Sequence, residues 1–264
     1  VGVPDEILEC ITPSCFRAGW NEFEGRLPPR EQIAHKGHFG RVLVIGGDHG
    51  MAGAALMAAE AVCRVGAGLV YAATRPEHVS AFVAHRPEVM VRGIELAEHI
   101  EQGLFENADV IVIGPGLGQE VWGQQLFSKV LQTNKPMVVD ADGLNMLAAK
   151  SIEPRDNWIL TPHPGEAARL LGCSIETVES NRFKAVIELQ KQYGGTVILK
   201  GAGTLIATAD TENEVVVWLA DTGNPGMASG GIGDVLSGIM GGLLAQKTID
   251  STIVAPAAVT LHGE

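Results

Sequence analysis

The stretch Asn224-Pro225-Gly226-Met227-Ala228-Ser229-Gly230-Gly231-Ile232-Gly233-Asp234 runs straight into the apolar segment VLSGIMGGLLAQ. Glycines at 230, 231 and 233 let the backbone fold closely around a ligand. The N–H groups that open the following helix lack partners inside it, and the helix dipole favours a negative group there. Asp234 sits at that start. A lone acid in a first helical turn commonly does no more than stabilise the helix. Beside three glycines it suits phosphoryl transfer. The N–H groups would stabilise the moving phosphoryl, and the carboxylate would take the proton from the attacking hydroxyl.

Other clusters also follow apolar runs. Gly114-Pro115-Gly116-Leu117-Gly118 follows DVIVI and reads either as a simple tight turn or as the floor of a ligand site. In Thr161-Pro162-His163-Pro164-Gly165-Glu166, two prolines stiffen the loop and fix His163. Asp140 ends the run PMVVD and could support a metal ion or its waters; Asp142 could cap a helix instead. In Lys200-Gly201-Ala202-Gly203-Thr204 the glycines admit a planar or phosphate group and Lys200 supplies charge, although such a segment can also be an ordinary turn. Ala52, Gly53 and Ala54 open a helix with almost no side-chain bulk, which gives either close packing or room for a ligand.

The elements that must position these loops read as alternating strands and helices. Strands are expected at Arg41–Gly47, Gly68–Thr74, Asp109–Gly114, Pro136–Asp140, Asn157–Thr161 and Thr196–Lys200. Helices are expected at Ala52–Gly66, near Glu120–Gln132, near Glu166–Leu171, over Ser174–Tyr193 with Ser174 as N-cap, over Gly233–Gln246 and from Ile249 to His262. Gly203–Thr208 and Glu214–Leu219 read as a hairpin around Ala209–Asn213. Continuous apolar strands between helices imply an α/β fold with a mainly parallel sheet covered on both faces and an antiparallel edge. Ligands of such sheets bind at the carboxyl ends of the strands, where the Gly, Pro, Asp and His clusters fall. Residues 1–34, with Pro28-Pro29 among polar residues, read as a tail and linker before a domain over 35–264.

Composition narrows the function classes. Glycine makes up 33 of 264 residues, well above the usual ~7%. A net charge of −12 speaks against general binding of nucleic acid or an anionic membrane. An anionic ligand would therefore need local devices: backbone N–H groups, a lysine or two, or a metal ion. The four cysteines form no Cys-x-x-Cys pair, and the chain opens without a signal-peptide pattern, so a cytoplasmic protein with reduced cysteines is expected. Met227–Gln246 is the most apolar stretch, but it holds Asp234 and many glycines and reads as a buried helix rather than a membrane span. The sequence contains no Gly-Lys pair, hence no Walker P-loop, and no Gly-x-Gly-x-x-Gly, Gly-x-Ser-x-Gly or His-Glu-x-x-His.

Taken in order, HKGHFGRVLVIGG, AGA, GAGLV, GPGLG, DADGLN, TPHPGEAARLLG, KGAGT and NPGMASGGIGDVLSG resemble the ADP/ATP-dependent NAD(P)H-hydrate dehydratases, a branch of the ribokinase-like superfamily. Gly-x-Gly-Asp is shared across that superfamily; TPHPGE, KGAGT and NPGMASGG are more specific. The resemblance implies a ribokinase-like three-layer α/β/α fold. It implies that the S form of hydrated NADH or NADPH (NADHX, NADPHX) is phosphorylated at its C6 hydroxyl and loses phosphate. The phosphoryl donor would be ADP in most bacterial members and ATP in eukaryotic ones, with Mg2+. It makes Asp234 the base, places Ala54, Gly116, His163 and Asp234 on the hydrate, and places Lys200, Gly201, Ala202, Gly203, Thr204, Gly231 and Gly233 on the nucleotide. It further implies a homotetramer, a preceding epimerase domain whose tail would be Val1–Ile7, and more helix beyond Glu264. The competing expectation is a ribokinase-like small-molecule kinase, such as a vitamin-precursor kinase, that releases its phosphorylated product.

Overall fold

Runs such as Val42–Ile45 and Val110–Ile113 have no polar face, so they are stable only with helices on both sides. That is their setting in the computed structural model, which describes residues 13–209, 214–247 and 251–264 together with positions 2, 4, 7, 212 and 249. The chain forms β1 (Phe16–Arg17), β2 (Arg41–Ile45), α1 (Ala52–Arg64), β3 (Leu69–Thr74), α2 (Val79–His85), β4 (Met90–Gly93), α3 (Gln102–Asn107) and β5 (Val110–Ile113). It continues through α4 (Val121–Leu131), β6 (Met137–Val139), α5 (Asp142–Ala148), β7 (Trp158–Leu160), α6 (Pro164–Leu171), α7 (Ile175–Ser180) and α8 (Arg182–Tyr193). It closes with β8 (Thr196–Leu199), β9 (Thr204–Ala209), β10 (Val215–Ala220), α9 (Ile232–Ala245) and α10 (Ser251–Gly263).

Among the described residues the strands form one sheet in the order β1-β10-β9-β8-β7-β6-β5-β2-β3-β4. Only β9 runs against its neighbours, β8 and β10. The expected antiparallel strand therefore lies near the edge, with β10 and the two-residue β1 outside it. One apolar cluster fills each face of the sheet. Trp158, Phe127 and Leu126 belong to one; Ala55, Ala58 and Met240 belong to the other.

From β2 the chain steps outward to β3 and β4, then returns to β5 on the other side. The carboxyl ends of β2 and β5 flank this switch point, where open parallel sheets bind ligands. The loops there touch. Gly47 N–H donates to the carbonyl of Pro115 at 3.0 Å and Asp48 N–H to that of Gly116 at 2.6 Å. No side chain fits between them: a Cβ on Gly46 would lie 2.0 Å from the Pro115 oxygen, and one on Gly114 would lie 1.8 Å from the Asp140 oxygen.

Small residues also bring α9 onto α1. A Cβ on Gly238 would fall 2.2 Å from the Ala58 carbonyl oxygen, and one on Gly242 would fall 2.3 Å from Val65 Cγ2. This seam holds the start of α9, and Asp234 with it, against the sheet.

Several expectations need correction. Ser174 does cap a helix, accepting from Thr177 N–H at 3.2 Å. That helix ends at Ser180, however, because Asn181 leaves the helical region (φ −152°, ψ 79°) and caps α8 by accepting from Lys184 N–H. The strands β1 and β4 and the helices α2 and α3 were not expected, and α5 entered only through the alternative that Asp142 caps a helix. Each is short, and β4 is half-exposed at an edge, so none has a long periodic pattern. Part of the segment read as linker packs on the domain: Ala18 and Phe23 are fully buried, and Phe23 meets the Trp218 ring. Most of Val1–Ile7, along with Cys10 and most of the Ala209–Asn213 turn, lies outside the described residues. Cys15, Cys63 and Cys173 are free thiols. Among the described residues no helix is long and apolar enough to cross a membrane.

Gly238→Ala forces a methyl group into the α1–α9 seam. Overpacking of this kind costs about 1–3 kcal/mol, so the urea unfolding midpoint should fall with an unchanged slope.

Candidate active site

The strand ends deliver five segments to one place. Asp140 follows β6 and is 1% exposed. One of its oxygens accepts from Lys200 Nζ at 2.8 Å and the other from Ser237 Oγ at 2.7 Å. Lys200 follows β8 and Ser237 lies one turn beyond Asp234 on α9, so one carboxylate joins three elements. Burial alone would raise the Asp140 pKa. The charge and hydrogen bond of Lys200, with donors from Ser237 and Thr161, hold it below the usual carboxylate range. Burial opposes the charge on Lys200 as well, but Asp140 and Glu166 keep its pKa above the ordinary lysine value.

The next residue, Ala141, has φ +46°, the only positive φ among described non-glycine residues. Such strain persists only where surrounding structure enforces it. Here Asp142, at the start of α5, does not cap its helix as the alternative reading had it. Its carboxylate reaches across to accept from Gly118 N–H at 2.9 Å and from Gln119 Nε2 at 3.0 Å. The turn after β6 thus fixes the Gly114–Gly118 loop after β5.

His163 and Glu166 form a reciprocal cap at the start of α6. His163 Nδ1 accepts from Gly165 N–H at 3.0 Å, and Glu166 Oε2 accepts from His163 N–H at 2.8 Å, with Pro164 in the first helical position. The outer nitrogen of the half-exposed His163 ring lies 3.5 Å from Glu166 Oε1. Burial, then the charges of Lys200 and Arg169, lower the His163 pKa. Glu166 is 5% exposed and 3.8 Å from Lys200; burial pushes its pKa up to about 7 despite that cation.

Gly231 (φ +91°) is the N-cap of helix α9 and no described side chain caps the helix, so its first N–H groups remain available to a ligand. A Cβ placed on Gly233 would lie 3.5 Å from Lys200 Nζ and 3.7 Å from Asp140 Oδ2. Asp234 is part-buried beside this cluster. Burial and then the negative charge of Asp140 push its pKa to about 6, against the pull of Lys200.

Of the remaining expected residues, Ala54 lies on α1. Gly116 (φ +57°) adjoins Ala54: a Cβ on the glycine would be 3.0 Å from Ala54 Cβ. One turn later Met57 packs on Gly231, where a Cβ would lie 2.4 Å from its terminal methyl. Gly201 (φ +148°), Ala202, Gly203 (φ +70°) and Thr204 form the loop beyond Lys200, with Thr204 Oγ1 donating to the Gly201 carbonyl. Among the described residues no group of three His, Cys, Asp or Glu side chains is arranged to hold a metal ion. Sequence reading missed Ser237, Glu166 as a partner of Lys200, and Arg182 behind the 200–204 loop. Their only signal is proximity in the fold, apart from the capping pattern of Glu166.

A sequence profile of the NAD(P)H-hydrate dehydratases matches residues 42–264. The chain belongs to this family. It is 51% identical over its full length to a bifunctional NAD(P)H-hydrate repair enzyme of Coxiella burnetii, 52% of which it covers. The chain thus spans about half the length of that relative. It is 40% identical to the ADP-dependent (S)-NAD(P)H-hydrate dehydratase of Neisseria meningitidis, over 89% of this chain and 78% of that protein. Among solved structures it resembles the Bacillus subtilis ADP/ATP-dependent NAD(P)H-hydrate dehydratase co-crystallised with ATP/Mg2+. That match has a TM-score of 0.83 and 31% identity, and covers 96% of this chain and 88% of the other. Arabidopsis thaliana ribokinase, at 14% identity and a TM-score of 0.57 over 85% of this chain and 91% of its own, shares the fold. The architecture is accordingly ribokinase-like.

In this dehydratase-family chain, Asp234 has a folded-state pKa of about 6 against an ordinary 3.8. An acid with a raised pKa binds protons more tightly folded than unfolded, so stability falls as pH rises from about 4 to about 6. Asp234→Asn abolishes that contribution. It should raise stability at pH 8 by about 1–2 kcal/mol, discounted for partial exposure. Near pH 4 it should change little. Thermal melts at both pH values check this.

Proposed function

We propose that this chain catalyses the ADP- or ATP-dependent dehydration of the S form of hydrated NADH and NADPH. The observation that carries this reading is Asp234, a carboxylate with raised proton affinity at the uncapped start of a glycine-opened helix. The names of the Neisseria and Bacillus relatives support the substrate and the nucleotide.

In the proposed reaction Asp234 accepts the proton of the C6 hydroxyl while the hydroxyl oxygen attacks the terminal phosphoryl of the nucleotide. The first N–H groups of α9 stabilise charge on that phosphoryl. The bond from phosphorus to the nucleotide's bridging oxygen breaks as the new bond to the C6 oxygen forms. The ring-nitrogen lone pair then expels phosphate from C6, and transfer of a C5 proton to water restores the ring double bond. Ala54, Gly116 and His163 would border the hydrate, and Lys200–Thr204, Gly231 and Gly233 the nucleotide. Lys200 and Asp140 hold each other, so their main role is to fix the nucleotide loop against the helix that carries Asp234. An Mg2+ ion would rely mainly on the phosphates for its ligands, because no three described His, Cys, Asp or Glu side chains are grouped to hold one and both oxygens of Asp140 are engaged; Asp140 would contribute its negative charge nearby. When bound, the ion would offset phosphate charge.

Incubating hydrated NADH with ADP and with ATP in parallel should restore the absorbance of reduced nicotinamide and release phosphate. A phosphorylated product that accumulates without that absorbance would overturn the reading in favour of a kinase. Asp234→Asn should lower turnover about 10²–10⁴-fold while ADP still binds, as read by calorimetry. For the unaltered chain, kcat/KM should fall about tenfold per pH unit below about pH 6, because only ionised Asp234 can accept the proton.

A further inference from the structure

The loop 200–204 was expected to draw its positive charge from Lys200. In the fold that charge is already engaged: Lys200 Nζ is 2.8 Å from Asp140 and 3.8 Å from Glu166. A different cation lies behind the loop. Arg182 opens α8, and its guanidinium donates to four carbonyls between residues 199 and 203. One terminal nitrogen reaches Ala202 at 2.8 Å and Gly203 at 3.0 Å; the other reaches Leu199 at 3.2 Å and Lys200 at 3.3 Å. Among the described residues no carboxylate lies within ion-pair distance of Arg182. The planar fork of an arginine suits this multiple engagement, and the single ammonium of a lysine does not.

The carbonyls' orientation also decides what the opposite face of the loop presents. A peptide's N–H and C=O point in opposite directions. Turning the Leu199, Lys200, Ala202 and Gly203 carbonyls toward Arg182 turns the N–H groups of residues 200, 201, 203 and 204 the other way. Lys200 N–H is spent on the Pro162 carbonyl at 2.9 Å and Thr204 enters β9, which leaves Gly201 and Gly203 at the loop's centre. The positive φ values of Gly201 (+148°) and Gly203 (+70°) are what this carbonyl arrangement demands. A Cβ on Gly201 would lie 2.7 Å from the Arg182 guanidinium, so the glycine also lets the cation approach. The break at Asn181 positions Arg182, because a helix continuing through 181 would carry its first turn elsewhere.

We propose that Arg182 is the positioning residue of the nucleotide site: it turns the 200–204 loop so that backbone N–H groups face an anionic nucleotide, and its charge, which no described carboxylate pairs, rather than that of Lys200, makes the loop attractive to the anion. The inference rests on the nucleotide-dependent reading above. Direct ADP binding separates the two, since it needs neither the hydrate nor turnover.

The test measures ADP affinity by calorimetry, and KM for ADP and for the hydrate, in the unaltered chain, Arg182→Gln and Arg182→Lys. Arg182→Gln should weaken ADP binding tenfold or more and raise KM for ADP to match, with KM for the hydrate within twofold. Arg182→Lys keeps the charge but cannot span four carbonyls, so it should recover only part of the affinity. It also serves as the folded comparison if the glutamine variant is unstable. ADP binding in either variant equal to that of the unaltered chain would overturn the proposal. So would a parallel rise in both KM values, which marks a general structural loss. Failure of the unaltered chain to bind either ADP or ATP would overturn the nucleotide-dependent reading itself.

Discussion

One buried carboxylate holds the working end of this molecule together. Asp140 grips Lys200 with one oxygen and Ser237 with the other. Through these two bonds the end of β6, the end of β8 and the second turn of α9 become one unit. Burying an ion pair is expensive, and losing one partner from such a pair costs more than the pair itself contributes. The value of this pair is therefore geometric. It brings the loop beyond Lys200 to the helix that carries Asp234, and its negative member raises the proton affinity of Asp234 in the process.

The arrangement resolves a conflict in the composition. The chain carries a net charge of −12, yet the proposed ligands are polyanions. Most of the lysine charge near the site is cancelled at close range by Asp140 and Glu166. What stays available is the charge of Arg182 behind the 200–204 loop and partial charge on backbone N–H groups: those at the uncapped start of α9 and those of Gly201 and Gly203. Glycine is abundant because these groups must be approached without a Cβ in the way, and because neighbouring loops at the switch point touch backbone to backbone.

The sheet was largely legible in the sequence, since strands buried on both faces must be unbroken apolar runs, and Val42–Ile45, Val110–Ile113 and Val197–Leu199 are such runs. The loops after them were legible because glycine, proline and acids cluster there. Pairings were not. Lys200 and Asp140 are 60 positions apart and Ser237 and Asp140 are 97 apart, and no local pattern encodes such contacts. The break at Asn181 was missed because the apolar periodicity on either side suggests one helix, while the break depends on a single side chain capping the start of α8. Asp142 was misread for a related reason. An acid at a helix start invites a local role, and only the fold reveals that Gly118 lies within its reach.

Helix α1 touches the glycine loop after β5 at Ala54 and the glycine loop before α9 at Met57. Three residues of α-helix rise about 4.5 Å. The offset between the two loops is thereby set by helical pitch, a quantity that neither loop can adjust for itself. Sequence drift in either loop can change what is bound, but the ruler between them stays constant as long as α1 remains helical and α9 stays pressed against it.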